Sequence, residues 1–246
     1  MVPGGLTHVD LGVRRDPPAL ADYQETWDLQ RAVHARVASG EWGPRVLYVQ
    51  HAPVYTAGHR TTPDQRPTDG TPVVEVDRGG LITYHGPGQL VGYPIVGLPD
   101  RVGPLAYVRR LEEAIIRTLR GYGIEAGRVE GRTGVWLEAD PAALRPERKI
   151  AAIGVRVSRR TTLHGFALNV AASSLGPFSS IVPCGIADAG VTCVEAEIGR
   201  APSLAEVMDA LVPRLDELLA WEPFEQTGWA HGAPGGRPGA PVAAGG

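Results

Sequence analysis

Apolar residues at Leu105, Val108, Leu111, Ile115, Leu119 and Tyr122 keep to the spacing of one helical face. Pro104 suits the first turn of that helix, and Gly121 or Gly123 can end it. A second helix is predicted over Leu20–Val37, with Tyr23, Trp27, His34 and Val37 near one face. A third begins at Ser203, whose spacing to Glu206 makes a capping box, and Pro213 inside it predicts a kink or a split. Between the helices, residues 45–50, 71–76, 90–96, 133–138, 149–157 and 161–170 read as strands. The order lacks regular βαβ alternation, which predicts an α+β domain: a mixed or antiparallel sheet with flanking helices. No internal repeat is visible.

The pattern fades toward the C-terminus, where fifteen of the twenty residues from Thr227 to Gly246 are Gly, Ala or Pro. Such a stretch buries too little apolar surface to offset its ordering entropy. Residues 1–222 are therefore expected to form a single domain and 223–246 a disordered tail. The net charge of −3 and the absence of any basic run argue against a nucleic-acid partner. No stretch has the length and apolarity of a membrane span or the pattern of a signal peptide, and two cysteines suggest no disulfide framework. The expectation is a cytoplasmic protein with no membrane partner.

Composition also singles out one residue. Of 24 basic side chains, Lys149 is the sole lysine. A compositional bias toward Arg explains the rest, because surface lysines exchange for arginine at little cost. A lysine that survives such a bias is a candidate for work that needs a removable proton, which arginine does not give up in proteins. Cys184, in IVPCGI (181–186), lies between turn-forming residues and suits an exposed thiol, whereas Cys193, in VTCVEA, reads as a small core residue. The thiolate is the attacking form, and a nearby ammonium would favour it.

The densest punctuation is RGGLITYHGPGQ (78–89). Its glycines permit close approach of a ligand, and its spacing is neither that of a phosphate loop nor G-x-G-x-x-G. A tight hairpin would explain the glycines; Arg78, Thr83, Tyr84 and His85 among them favour a pocket wall. The seven histidines (8, 34, 51, 59, 85, 164 and 231) show no metal-ligand spacing, so no metal is expected. His51 and His164 are each followed by small residues that leave room for a ligand, though either suits a satisfied core position. No G-x-S-x-G elbow supports a serine hydrolase.

Taken together, HAPVYTAG (51–58), RGGLITYHGPGQLVGYPI (78–95), KIAAIGVRV (149–157), HGFALNV (164–170) and IVPCGI (181–186) resemble the lipoyl(octanoyl) transferases in order and spacing. The resemblance implies a fold similar to the biotin and lipoate protein ligases. It implies that Cys184 carries an acyl-thioester and that Lys149 pairs with it. It implies a substrate pocket lined by Arg78, Gly79, Gly80, Leu81, Ile82, Thr83, Tyr84, His85, Ala152, Ile153, Gly154, Gly165, Phe166 and Ala167, with His164 assisting. The implied donor is octanoyl-acyl carrier protein. The implied acceptors are lipoyl domains of 2-oxoacid dehydrogenase complexes and the glycine cleavage H protein. No cofactor of its own is implied, since the donor thioester arrives activated, and this agrees with the missing phosphate loop. Two rivals make different demands: an ATP-dependent ligase would not need Cys184, and a non-catalytic acyl sensor would not need Lys149.

Overall fold

The computed structural model describes residues 5–181 and 189–231. Its elements follow the chain as β1 (Thr7–Asp10), β2 (Leu20–Ala21), α1 (Tyr23–Ala38), β3 (Arg45–His51), β4 (Val54–Ala57), β5 (Val73–Glu75), β6 (Thr83–His85) and β7 (Gln89–Ile95). Then come α2 (Pro104–Arg120), β8 (Gly127–Val129), β9 (Arg132–Leu137), β10 (Arg148–Ser158), β11 (Thr161–Asn169), β12 (Gly190–Val191), α3 (Val194–Ile198), α4 (Leu204–Leu218) and β13 (Ala230–His231). One large sheet runs β1-β3-β7-β11-β10-β9-β8-β13, and a small one runs β5-β4-β6. The large sheet is antiparallel from β3 to β8 and parallel where β1 joins β3 and β13 joins β8. This is the mixed α+β architecture that the hydrophobic pattern predicts.

Strand alternation explains the layers. On β3, Val46 and Tyr48 join the core built with α2 and α4, while Leu47 and Val49 join the one beneath Val33 of α1. On β7, Leu90 goes to the first core and Val91, Tyr93 and Ile95 to the second. A period of two thus serves helices on both faces of the sheet.

Local chemistry sets the start of one helix and the continuity of another. The first helix begins at Tyr23 because Leu20 and Ala21 pair with Gln50 and His51, and the Asp22 side chain then caps α1 by accepting from Glu25 N at 2.9 Å. In α4 the capping box of Ser203 and Glu206 is present, but Pro213 does not split the helix. Pro213 and Asp209 are both exposed, so the carbonyl four residues back that loses its N–H partner can be solvated.

The expected domain limit at 222 falls short of what the chain does. Phe224 packs against the main core, 4.7 Å from the Arg110 guanidinium carbon, and Trp229 O accepts from Arg128 N. Thr227 donates from its backbone N and its hydroxyl to Glu113, a fully buried carboxylate that Arg117 and Arg128 also pair. A few anchoring side chains thus hold a segment whose composition reads as tail; the expectation beyond residue 231 lies outside the described residues. Burial pushes the Glu113 carboxyl up, but its hydrogen bonds from Thr227, Arg128 and Arg117 outweigh this and leave it below the usual value of 4.5. A depressed carboxylate stabilises the fold above its unfolded pKa, and that share is lost as pH falls through the folded value. Glu113→Ala is expected to cost about 1–3 kcal/mol, because Thr227, Arg117 and Arg128 each lose an acceptor while Glu217 and Glu112 still pair the two guanidiniums. Urea unfolding at pH 7 measures the loss, and the gap between variant and wild type should narrow below the usual carboxylate value.

Candidate active site

Where the N-terminal end of α1 meets β7, β10 and β11, side chains leave a pocket with about 490 Å³ of empty space, its mouth included. Leu81, Val91, Ile153, Phe166 and Ala167 make its walls largely apolar. Glycines set its shape: a Cβ at Gly92 would fall 2.1 Å from the Phe166 ring, and one at Gly154 would fall 2.9 Å from Arg78 Cδ. Arg78 is buried and grips the loop itself, donating to Gly79 O, Leu81 O and both oxygens of Thr56. Its stem lines the pocket while its guanidinium fixes the main chain around it.

Polar groups close one side of the pocket, where Tyr23, Thr83, His85, Tyr93 and His164 line it. Burial, with the neighbouring His51 and the Arg78 guanidinium, pushes His85 down to about 3, so it is neutral near pH 7. Neutral His85 donates from Nδ1 to Gln89 Oε1 at 2.7 Å, and Gln89 donates onward to Asn169 Oδ1 at 2.9 Å. Asn169 donates to Thr192 O, and Thr192 N donates to Lys149 O. A buried hydrogen-bond chain thus ties the pocket to the strand that carries Lys149. His51, by contrast, bonds Tyr93 and Ala21 O, does not line the pocket, and is driven by burial to about 4.

Lys149 lines a second space beside the first. The two share Gly79, Gly80, Leu81, Ile153 and Gly154, so the 79–81 segment is a common wall. Lys149 is 7% exposed, and its Nζ stands 4.6 Å from the centre of the Trp136 ring, a cation–π contact between register partners of β9 and β10. A bulge between Lys149 and Ala151 lets Ile150 and Ala151 both enter the core while Lys149 faces the open space. Gly134, at φ +124°, makes the room for it: a Cβ there would sit 2.5 Å from Ala151 O and 3.3 Å from Lys149 Cε. The buried Glu112 carboxylate accepts from Gly134 N at 3.1 Å and holds this turn in place. Gly134→Ala is therefore expected to shift the lysine and lower kcat by about 10²-fold with little change in donor KM, as steady-state kinetics would read.

The structure gathers most of the expected pocket residues: Arg78, Gly79, Gly80, Leu81, Thr83, His85, Ala152, Ile153, Gly154, Gly165, Phe166 and Ala167 all line it, as does His164. Ile82 and Tyr84 do not. In this extended segment they alternate to the other side and pack with Tyr55, Phe178 and Ile181. Tyr23, Val91 and Tyr93 complete the lining without having been singled out. The alternation of residues 91 and 93 along their strand is the one signal for two of them. Gly134 and Trp136 near Lys149 gave no signal in the sequence. Cys184 lies outside the described residues; on one side of it Ile181 is buried, and on the other Val191 pairs in register with Lys149. Cys193 is buried and caps α3 through its sulfur, as a core residue would. Among the described residues no cluster of side chains is arranged to hold a metal ion, and no helix is long and apolar enough to cross a membrane.

The sequence signature of the lipoyl protein ligase A/B catalytic domain matches residues 22–216. The chain belongs to this family. Among members of the lipoyl protein ligase A/B family, the octanoyltransferase of Mycobacterium sp. strain KMS is 60% identical over 199 residues, 80% of this chain and 82% of that one. The octanoyltransferase of Cutibacterium acnes is 51% identical over 232 residues, 92% of this chain and 84% of its own. The resemblance drawn from the sequence motifs is thereby borne out, on the octanoyltransferase side of the family. A solved lipoate-protein ligase A bound with ATP shares the fold, with a TM-score of 0.66 at 18% identity over 88% of this chain and 85% of that one.

Proposed function

We propose that this enzyme transfers an octanoyl group from octanoyl-acyl carrier protein to a lysine amine of a lipoyl domain, through a thioester on Cys184. The observation that carries the reading is the shared wall: an apolar pocket suited to an acyl chain opens beside the space lined by Lys149. The acyl chain occupies the pocket with its carbonyl toward Lys149. The Cys184 thiolate attacks the donor thioester carbonyl, the new sulfur–carbon bond forms, and the carrier thiol leaves and takes up a proton. The acceptor amine then attacks the Cys184 thioester, giving an amide and returning the thiol. Lys149 stabilises the thiolate as an ammonium and relays the proton lost by the incoming amine. The first exchange is nearly balanced and the second runs downhill, so no ATP is consumed.

The identity to octanoyltransferases supports the acyl group and the reaction class. The C-terminal side of the 182–188 stretch favours the Cys184–Lys149 pairing, since Val191 lies opposite Lys149 in the sheet. The test is transfer in a mixture of enzyme, octanoyl-acyl carrier protein and a lipoyl domain without ATP, read as the mass of the lipoyl domain. Octanoylation there supports the reading; a strict requirement for ATP and free octanoate would replace it with a ligase.

A further inference from the structure

His164 stands in the middle of β11 with φ +58°, a left-handed conformation that costs any residue bearing a β-carbon. Its surroundings hold it there. His164 N donates to Gln30 Oε1 of α1 at 3.1 Å, and Nε2–H donates to Asp77 Oδ1 at 2.8 Å. The ring is 2% exposed, and Nδ1 has no partner among the described residues, so the Asp77 bond is what orients the imidazole. The other oxygen of Asp77 pairs with Arg156 of β10. Asp77 lies two residues before the segment that divides the two spaces, and Gly79 N donates to Val155 O, Val155 being the register partner of His164.

We propose that His164 and Asp77 form a latch that fixes the 79–81 wall against the β10–β11 hairpin, and that this sets which acyl length the pocket accepts. The inference rests on the proposed octanoyl transfer for its substrate. His164 is a positioning residue in it: a strained backbone aims the ring, the ring holds the aspartate, and the aspartate holds the wall. With the latch open the wall can move toward the Lys149 space, and a longer chain fits. A pocket of fixed length discriminates one methylene by about 10–200-fold, so this preference reports the position of the wall.

The test compares hexanoyl-, octanoyl- and decanoyl-acyl carrier protein as donors for wild type, His164→Asn, Asp77→Ala and the double variant. Asparagine tolerates the left-handed conformation but is too short to reach Asp77, and Asp77 is 27% exposed, so its loss spares the core. The expected result is that each single variant lowers the octanoyl-over-decanoyl preference in kcat/KM by about fivefold or more, and that the double variant goes no further. Amide hydrogen exchange at 78–81 in the free enzyme should quicken by about tenfold in the same variants. Equal losses on all three donors with unchanged exchange at 78–81 would overturn the latch. If wild type transferred no acyl group at all, the octanoyl reading would fall, and the exchange measurement would still decide the latch: unchanged protection overturns it.

Discussion

Lys149→Arg is expected to lower octanoyl transfer by about 10²–10⁴-fold while the protein still folds, the range lost when a positioned acid–base group is removed. The substitution keeps the positive charge, so a role confined to attracting the thiolate would survive it. Two features argue against survival. Arginine does not release its proton in proteins, so the relay from the incoming amine is lost. The lysine is also closely seated: its Cε stands 3.3 Å from where a Cβ on Gly134 would be, and the Trp136 ring covers the ammonium. A planar guanidinium on a longer stem moves the charge away from the place over the Trp136 ring that the ammonium holds. Lys149→Ala supplies the comparison, and steady-state rates with a thermal melt separate chemistry from folding. An arginine variant within tenfold of wild type would reduce Lys149 to a simple counter-charge.

Cys184→Ala should cost more, at least about 10³-fold, because it removes the atom to which the acyl group is transferred. Cys184→Ser should fare little better, since a hydroxyl near neutral pH offers almost no anion. The second cysteine is the control. Cys193 is fully buried, its sulfur accepts from Ala196 N at 3.4 Å, and burial pushes its thiol up, away from the ionised form. Cys193→Ala should leave the rate within about twofold of wild type, with any loss appearing as stability instead. Equal damage from both substitutions would mean that a cysteine's packing, not its chemistry, was being read.

Much of this is legible in the sequence. The periodicity of residues 105–122 gives α2, Ser203 with Glu206 gives the start of α4, and the glycine-rich block with the 152–154 and 165–167 segments gives most of the pocket. What escaped has physical causes. Assigning 78–85 to a wall as a block ignores the alternation that turns Ile82 and Tyr84 to the opposite side. Gly134 matters for a side chain it lacks, and only the position of Lys149 reveals that. Composition hid the order of residues 223–231, because Phe224 and Thr227 bind a core face and a buried carboxylate contributed by α2, a hundred residues away along the chain. The strain at His164 and its bond to Asp77, which lie 87 residues apart, are likewise tertiary facts.

A covalent acyl-enzyme on Cys184 is read from the intact mass of the enzyme after mixing with octanoyl-acyl carrier protein, without ATP and without acceptor. Wild type should carry one octanoyl adduct, removed by hydroxylamine, discharged by a lipoyl domain and absent from Cys184→Ala. Octanoylation of a lipoyl domain with no adduct at any time point, or an adduct that persists in Cys184→Ala, would contradict it.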